Sequence, residues 1–284
     1  MKTGFRKILP LALVLIAGAA GGFMRGRELV TCYDDVSGLY APSSLTYLLI
    51  ALSVVVSAVC LITAMAKPRD DRDFTPLYHC GPVGAVLGMA AGAFTALAGC
   101  IRLISFFESM QYSALPIGLL TVLAGISLIA LTVARYRDNL SYMTGFGAVL
   151  TVFWGCLILV LVFLEHPVEP IILLFAYDLL AMCLVLLVLY GSTGRIFGKN
   201  HTRMTLAASL TAIYFLLVSG LGRFATFFDT GSFYYVRQVG FRLMIYAAML
   251  PYCMSVALSL LLRIGTGTET APAETESTED DHEV

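Results

Sequence analysis

The chain has 284 residues, of which 58% are hydrophobic and 13% are charged, and its formal net charge is −1. Soluble domains carry about 25% charged residues, so this composition excludes a water-exposed globule. We expect the lipid bilayer to be its environment and expect no nucleic-acid partner.

The predicted fold class is all-α: a polytopic transmembrane helix bundle of about eight spans. A helix of about 20 apolar residues crosses the hydrocarbon core, and the runs lack the in/out alternation of barrel strands. In chain order the runs cover residues 6–24, 44–66, 81–104, 115–134, 143–164, 168–191, 204–226 and 240–262.

The first run has two interpretations. Basic residues precede it and Ala17-Gly18-Ala19 lies within it, a pattern that also suits a cleaved signal peptide. A copy of the motif described next follows the run directly, which favours a retained helix.

A short motif, Arg-x-x-Ser/Thr-Phe-Phe-acid-Ser/Thr, occurs at residues 102–109 and 223–230, at the ends of the third and seventh runs. A looser copy at residues 27–34 follows the first run. The separation of four runs predicts a parallel repeat of two four-helix halves, residues 1–134 and 135–263. Chance similarity among Phe-rich helix ends is the alternative.

The distribution of basic residues predicts the orientation. Most of the 18 Lys and Arg residues lie in the N-terminal segment and in the loops after every second run, and such residues are retained on the cytoplasmic side. We therefore predict a multi-pass protein of the cell membrane with both termini in the cytoplasm. The acidic segment 264–284 is predicted to be a disordered cytoplasmic tail, with docking of a partner as the alternative.

The motif supplies candidate ligand or ion-pair residues. Arginine offers a planar fork that suits carboxylate or phosphate, and the outer cations are all arginines. In one interpretation three of them converge on an outer vestibule and hold an anionic group; in the other they stabilise helix ends and the acids join the outer loops. The residues are Arg27, Arg102 and Arg223, with the motif acids Glu108 and Asp229.

In the copies at 102–109 and 223–230 the arginine and the acid are six positions apart, and the looser copy carries one extra residue. Such positions lie on different faces of a continuing helix. Arg102 and Glu108 would therefore pair only if the helix broke between them, or each would meet a partner from another repeat.

Asp178 lies near the middle of the sixth predicted run. An acid in a membrane span costs about 2.5–3.5 kcal/mol on insertion scales, so it normally faces the bundle interior and has a partner. Arg242 is the nearest candidate by depth. Asp178 is then either a proton or ligand site or part of a structural ion pair.

Helix three carries small residues at four-residue spacing. Residues four apart share a helix face, and a smooth face lets two membrane helices approach closely. The stripe predicts a tight contact within the chain or a homodimer interface, or contact with another membrane protein. Its glycines are Gly84, Gly88 and Gly92.

The sequence carries no catalytic or cofactor motif. It has no His-Glu-x-x-His and no Gly-x-Ser-x-Gly, all four histidines lie outside the runs, and residues 191–200 lack the pattern of a phosphate-binding loop. We therefore expect no enzyme activity, no cofactor and no metal. Residues 191–200 are instead predicted to form an inner loop.

Two functions remain open. One is a small-solute binding or transport module with a site between the two halves. The sequence does not identify the small-molecule ligand of that site. The other is a non-catalytic membrane scaffold or regulatory subunit that acts through helix contacts or the acidic tail.

After the first span, Arg27 is followed by the segment Asp35-Val-Ser-Gly38-Leu-Tyr40. In this segment and in its eight predicted spans, the chain resembles uncharacterised bacterial polytopic membrane proteins. The resemblance implies the architecture and no activity, substrate or site.

Overall fold

A computed structural model describes residues 2–32, 42–66, 80–109, 114–137, 139, 141–164, 172–199, 201–230 and 233–263. These residues form eight α-helices, each with a stretch long and apolar enough to cross a membrane. The predicted all-α transmembrane bundle is therefore confirmed. The helices are α1 Lys2–Cys32, α2 Ser44–Met65, α3 Pro82–Ser109, α4 Ala114–Arg137, α5 Tyr142–Leu164, α6 Ile172–Ile196, α7 Thr202–Thr230 and α8 Phe233–Arg263.

Four helices extend beyond their apolar runs at the end of the bundle that holds the motif copies, and one of them is α8, which begins at Phe233. Helices α3 and α7 continue through both motif copies, and α1 continues to Cys32. In the copies at 102–109 and 223–230 the arginine and the acid therefore belong to one unbroken helix. Pairing after a helix break, one of the two alternatives for Arg102 and Glu108, does not occur.

The inner end of α6 differs from the prediction, because residues 191–196 are helical and not a loop. The helix ends in a Schellman motif, in which Gly198 has φ 81° and its N–H donates to the Arg195 carbonyl (3.2 Å). The Lys199 N–H donates to the Gly194 carbonyl (2.9 Å). Glycine adopts this left-handed conformation without the strain of a Cβ atom, which explains where the helix stops.

Helices α7 and α8 form the centre of the bundle, and α2 is the most peripheral helix. Helix α1 packs along α7, while α3 packs against α4 and α8. Helix α5 lies between α4 and α6, and α6 returns to α7. Large apolar side chains such as Trp154, Met182 and Tyr214 fill the interior.

The two predicted halves interleave. Contacts of α1 with α7 and of α3 with α8 join residues 1–134 to residues 135–263, so these segments do not form two separate bundles. The internal repeat stays a prediction.

The glycine stripe of α3 is covered within the chain. A Cβ atom added at Gly88 would lie 2.6 Å from the Thr132 hydroxyl oxygen of α4, and the Ser255 hydroxyl group of α8 donates to the Gly84 carbonyl (2.7 Å). A Cβ atom added at Gly92 would lie 2.6 Å from the Ile129 side chain and 2.8 Å from the Gly125 carbonyl oxygen, both of α4. The predicted homodimer or partner contact through Gly84, Gly88 and Gly92 therefore has no free surface, because neighbouring helices occupy it.

Helix α1 has its own glycine stripe, which faces α7. Cβ atoms added at Gly18 and Gly22 would each lie 2.7 Å from leucine side-chain atoms of α7, and one at Gly26 would lie 2.5 Å from Ala225. Small residues at four-residue spacing allow such close backbone approach. Cleavage of α1 as a signal peptide would uncover this face of α7, so the packing favours its retention.

Candidate functional site

Asp178 lies on the second turn of α6 and is only 2% exposed. It lies six positions after Ile172, where the helix begins, which corresponds to about 9 Å along the helix axis. The predicted run placed it near mid-span, whereas the structure places it near the N-terminal end of the span, which begins at Phe175.

Two arginines from different helices meet the Asp178 carboxylate. Arg223 of α7 pairs through Nη2 with Oδ2 of Asp178. The Arg242 Nη1 atom of α8 lies 3.9 Å from the same oxygen. From the sequence, we identified Arg242 as a partner of Asp178 by its depth in the membrane, but we assigned Arg223 to the outer vestibule. Helices α6, α7 and α8 thus meet at one buried carboxylate, which we call the Asp178 cluster (Asp178, Arg223 and Arg242).

The charges of the Asp178 cluster depend on one another. A buried ion is costly, and removing one partner of a buried pair leaves an uncompensated charge. Removal of the carboxylate would therefore leave the charges of Arg223 and Arg242 less compensated, and removal of either guanidinium group would do the same to Asp178.

Tyr246 borders the cluster one helical turn after Arg242. Its side chain is 2% exposed, and its hydroxyl group lies near Asp178 and Arg223. That hydroxyl oxygen makes no well-aligned hydrogen bond to the residues that the structure describes. A polar group able to donate or accept a hydrogen bond thus lies at the edge of the cluster.

A second buried ion pair lies on α1. Arg25 Nη1 is 2.6 Å from Glu28 Oε2, and the two side chains are 4% and 0% exposed. The Arg25 guanidinium group lies 5.0 Å from the ring centre of Tyr177, the residue before Asp178. Sequence reasoning missed this pair because it ended the first run at residue 24.

Three hydroxyl groups connect α2, α6 and α7 beneath this pair. The Ser53 Oγ atom lies 3.0 Å from the Tyr214 hydroxyl oxygen and 3.5 Å from that of Tyr177. Ser53 also donates to the Leu49 carbonyl (2.8 Å). Through Tyr177 the α1 ion pair and the hydroxyl groups adjoin the Asp178 cluster along α6.

The remaining predicted residues are dispersed. Arg27 is exposed and lies over the Phe23 ring of its own helix (5.8 Å), and the Arg102 guanidinium lies 5.4 Å from the Phe241 ring of α8. Among these three arginines the described contacts bring only Arg223 to Asp178, so the convergence of Arg27, Arg102 and Arg223 on an outer vestibule stays a prediction. The side chains of Glu108 and Asp229 fall outside the described part of the chain, as do residues 35–40 and 264–284.

The chemistry of the cluster is that of anion recognition. Guanidinium groups bind carboxylate and phosphate through charge-assisted hydrogen bonds. Within the described ranges, no three His, Cys, Asp or Glu side chains are grouped so that they could hold a metal ion.

Comparison of the chain with known protein families, curated proteins and solved structures gives no match. The function must therefore be argued from the site itself.

Proposed function

We propose that this integral membrane protein binds a small anionic solute at the Asp178 cluster, as the binding step of a transport-like module. Asp178 is then the resident counter-ion that the solute displaces. The observation that carries the proposal is one buried carboxylate facing guanidinium groups from two different helices.

Exchange of anions explains why a carboxylate occupies the site. Buried guanidinium groups without an anion would be costly within a membrane protein. A solute carboxylate or phosphate offers the oxygen atoms that Asp178 supplies, and it can take its place on the planar forks of Arg223 and Arg242. The Tyr246 hydroxyl group is placed to bond to such a solute.

Displacement of Asp178 also supplies a link to movement. Asp178 belongs to α6, whereas the arginines belong to α7 and α8 at the bundle centre. A solute that takes over the arginines releases the ion pair that holds α6 against them. A ligand shifts a conformational equilibrium when it binds one conformation more tightly than the other. A solute that binds only when the Asp178 ion pair is broken would favour the conformation in which α6 is released.

The second candidate is a non-catalytic scaffold. The Asp178–Arg223 pair ties α6 to α7 without any solute, and a buried pair can serve to specify helix packing. In that case the arginines are inaccessible to anions from solution, which gives the two candidates opposite predictions.

We test the proposal with Asp178→Asn. Removal of the carboxylate leaves Arg223 and Arg242 facing a neutral amide, which should lower the free energy of unfolding by about 3–5 kcal/mol. Phosphate or acetate that reaches the arginines should restore stability, by about 2.7 kcal/mol at 100 times the Kd. The measurement is thermal unfolding in detergent over a phosphate and acetate series at constant ionic strength.

Two controls make the result specific. The double variant Asp178→Asn/Arg223→Gln lacks one of the guanidinium groups and should lose most of the anion effect. Arg27→Gln removes an exposed arginine at the same end of the molecule and should behave as the wild type. An Asp178→Asn protein that melts early at every anion concentration would contradict solute binding and favour the scaffold.

A further inference from the structure

A groove runs between the inner halves of α3 and α4, at the opposite end of the spans from the Asp178 cluster. Its volume is about 260 Å³, and its walls include Val86 and Met89 of α3 with Thr132, Val133 and Tyr136 of α4. The Thr132 hydroxyl group donates to the Leu128 carbonyl of its own helix (2.8 Å). The groove therefore offers an almost entirely apolar lining.

The groove opens toward the hydrocarbon region. Its residues belong to membrane-spanning segments, and Val86 is 62% and Tyr136 50% exposed. Inside a bilayer this surface is covered by lipid tails and not by water. An acyl chain matches both the apolar lining and the depth of the groove.

One end of the groove carries a positive charge. Arg137 follows Val133 by four positions and so lies on the same face of α4. It is exposed and is the last residue of both the helix and the span. Arg135, in contrast, is buried and donates through Nη2 to the Ser259 hydroxyl group of α8 (3.0 Å). Arg137 is thus the arginine that continues the wall of the groove at the membrane surface.

We infer that this groove binds one anionic phospholipid. Its acyl chain packs between Val86 and Val133, and its phosphate binds the Arg137 guanidinium, with the Tyr136 ring at the interfacial depth that aromatic residues favour. The predicted orientation puts the groove in the cytoplasmic leaflet, where anionic lipids are concentrated. The inference is independent of the solute site.

The test compares two lipids with the same acyl chains. Delipidated protein is titrated with dioleoyl-phosphatidylglycerol or dioleoyl-phosphatidylcholine, and bound lipid is counted by native mass spectrometry. Wild-type protein should bind phosphatidylglycerol more tightly. Arg137→Gln should weaken that binding about fivefold, the effect of one arginine at an anionic surface, and leave phosphatidylcholine binding unchanged. Val86→Trp, which fills the groove, should weaken binding of both lipids.

Matched controls are Arg27→Gln, an exposed arginine at the other end, and Val54→Trp, at an exposed position of α2 (63%). Neither should change lipid binding. Equal binding of the two lipids by the wild type would overturn the inference. A preference for phosphatidylglycerol that survives in Arg137→Gln would overturn it as well, and so would unchanged binding of both lipids by Val86→Trp or a preference that is lost equally in the controls.

Discussion

At the scale of single residues, Cys80 illustrates how burial controls reactivity. Its side chain is fully buried just before α3. Burial raises the pKa of the Cys80 thiol above its usual value of 9.0, and the nearby Arg135 charge opposes that shift only in part. Because the thiolate is the reactive form, we predict that N-ethylmaleimide at pH 8 leaves Cys80 unmodified in the folded protein and modifies it after denaturation.

The adjacent glycine provides the control for this measurement. Gly81 is exposed, and a Cβ atom there would meet no atom within 4 Å, so the thiol of Gly81→Cys should react readily. Peptide mapping by mass spectrometry distinguishes the two sites. Equal labelling of residues 80 and 81 in the folded protein would contradict the prediction. The raised pKa also makes the free energy of unfolding depend on pH. Cys80 favours the folded state below pH 9, and this contribution is lost as the pH rises through the folded-state pKa.

The sequence could identify some charged residues and not others. Asp178 stood out because an acid within an apolar run needs a partner. Glu28 did not, because it follows two arginines and marks what looks like the end of a span, although it is completely buried. The sequence also could not identify Asp178 as the partner of Arg223, for a related reason. A side chain near a helix end can face a neighbouring helix or the solvent, and only the packing of α6 against α7 decides which.

At the scale of helices, close packing of α3 on α4 depends on Gly125. A Cβ atom there would lie 2.5 Å from the Ala96 nitrogen and 2.7 Å from the Gly92 carbonyl oxygen. Backbone atoms cannot move aside as a side chain can, so the two helices must separate. We predict that Gly125→Ala lowers the free energy of unfolding by about 1–3 kcal/mol, measured by SDS titration.

Gly145→Ala is the matched control in helix α5. The nearest atom to its added Cβ would be 3.9 Å away, in the Phe197 ring. This substitution should leave stability unchanged or raise it by up to about 1 kcal/mol, since alanine favours a helix over glycine. Similar losses of stability in both variants, or no loss in Gly125→Ala, would contradict the prediction that the α3–α4 contact has no room for a Cβ atom at residue 125.

Helix existence was predictable, whereas helix pairing was not. Long apolar runs determine where a chain can cross the bilayer, and all eight runs correspond to helices within the described residues. Hydropathy says nothing about which helices touch, because lipid-facing and helix-facing positions are both apolar. The glycine stripe of α3 predicted a close contact but could not distinguish α4 from a second copy of the chain.

At the scale of the whole molecule, orientation follows from the basic residues. The eight candidate spans among the described residues are an even number and so place both ends of the bundle on the same side, which the distribution of Lys and Arg predicts to be the cytoplasm. We expect a green fluorescent protein fused to the C-terminus to fluoresce in cells. Alkaline phosphatase inserted between α3 and α4 should be active.

Phosphatase inserted at residue 139, between α4 and α5, is the control and should be inactive. Activity at residue 139 together with a dark C-terminal fusion would show the opposite orientation. It would also move the groove between α3 and α4 to the other leaflet, so the topology experiment bears on which lipids reach Arg137.

The pairing of α1 with α7 has a consequence for the synthesis of the protein. Translation must proceed from Cys32 to Thr202, a difference of 170 positions (202 − 32), before α7 begins to leave the ribosome. At about 5–20 residues per second, α1 waits roughly 10–30 s with its glycine face uncovered. During that interval the Arg25–Glu28 pair lacks the helices that bury it. We expect α1 to need another protein partner until α7 arrives, and we expect a chain whose translation stops early to be left with this charged helix end unburied.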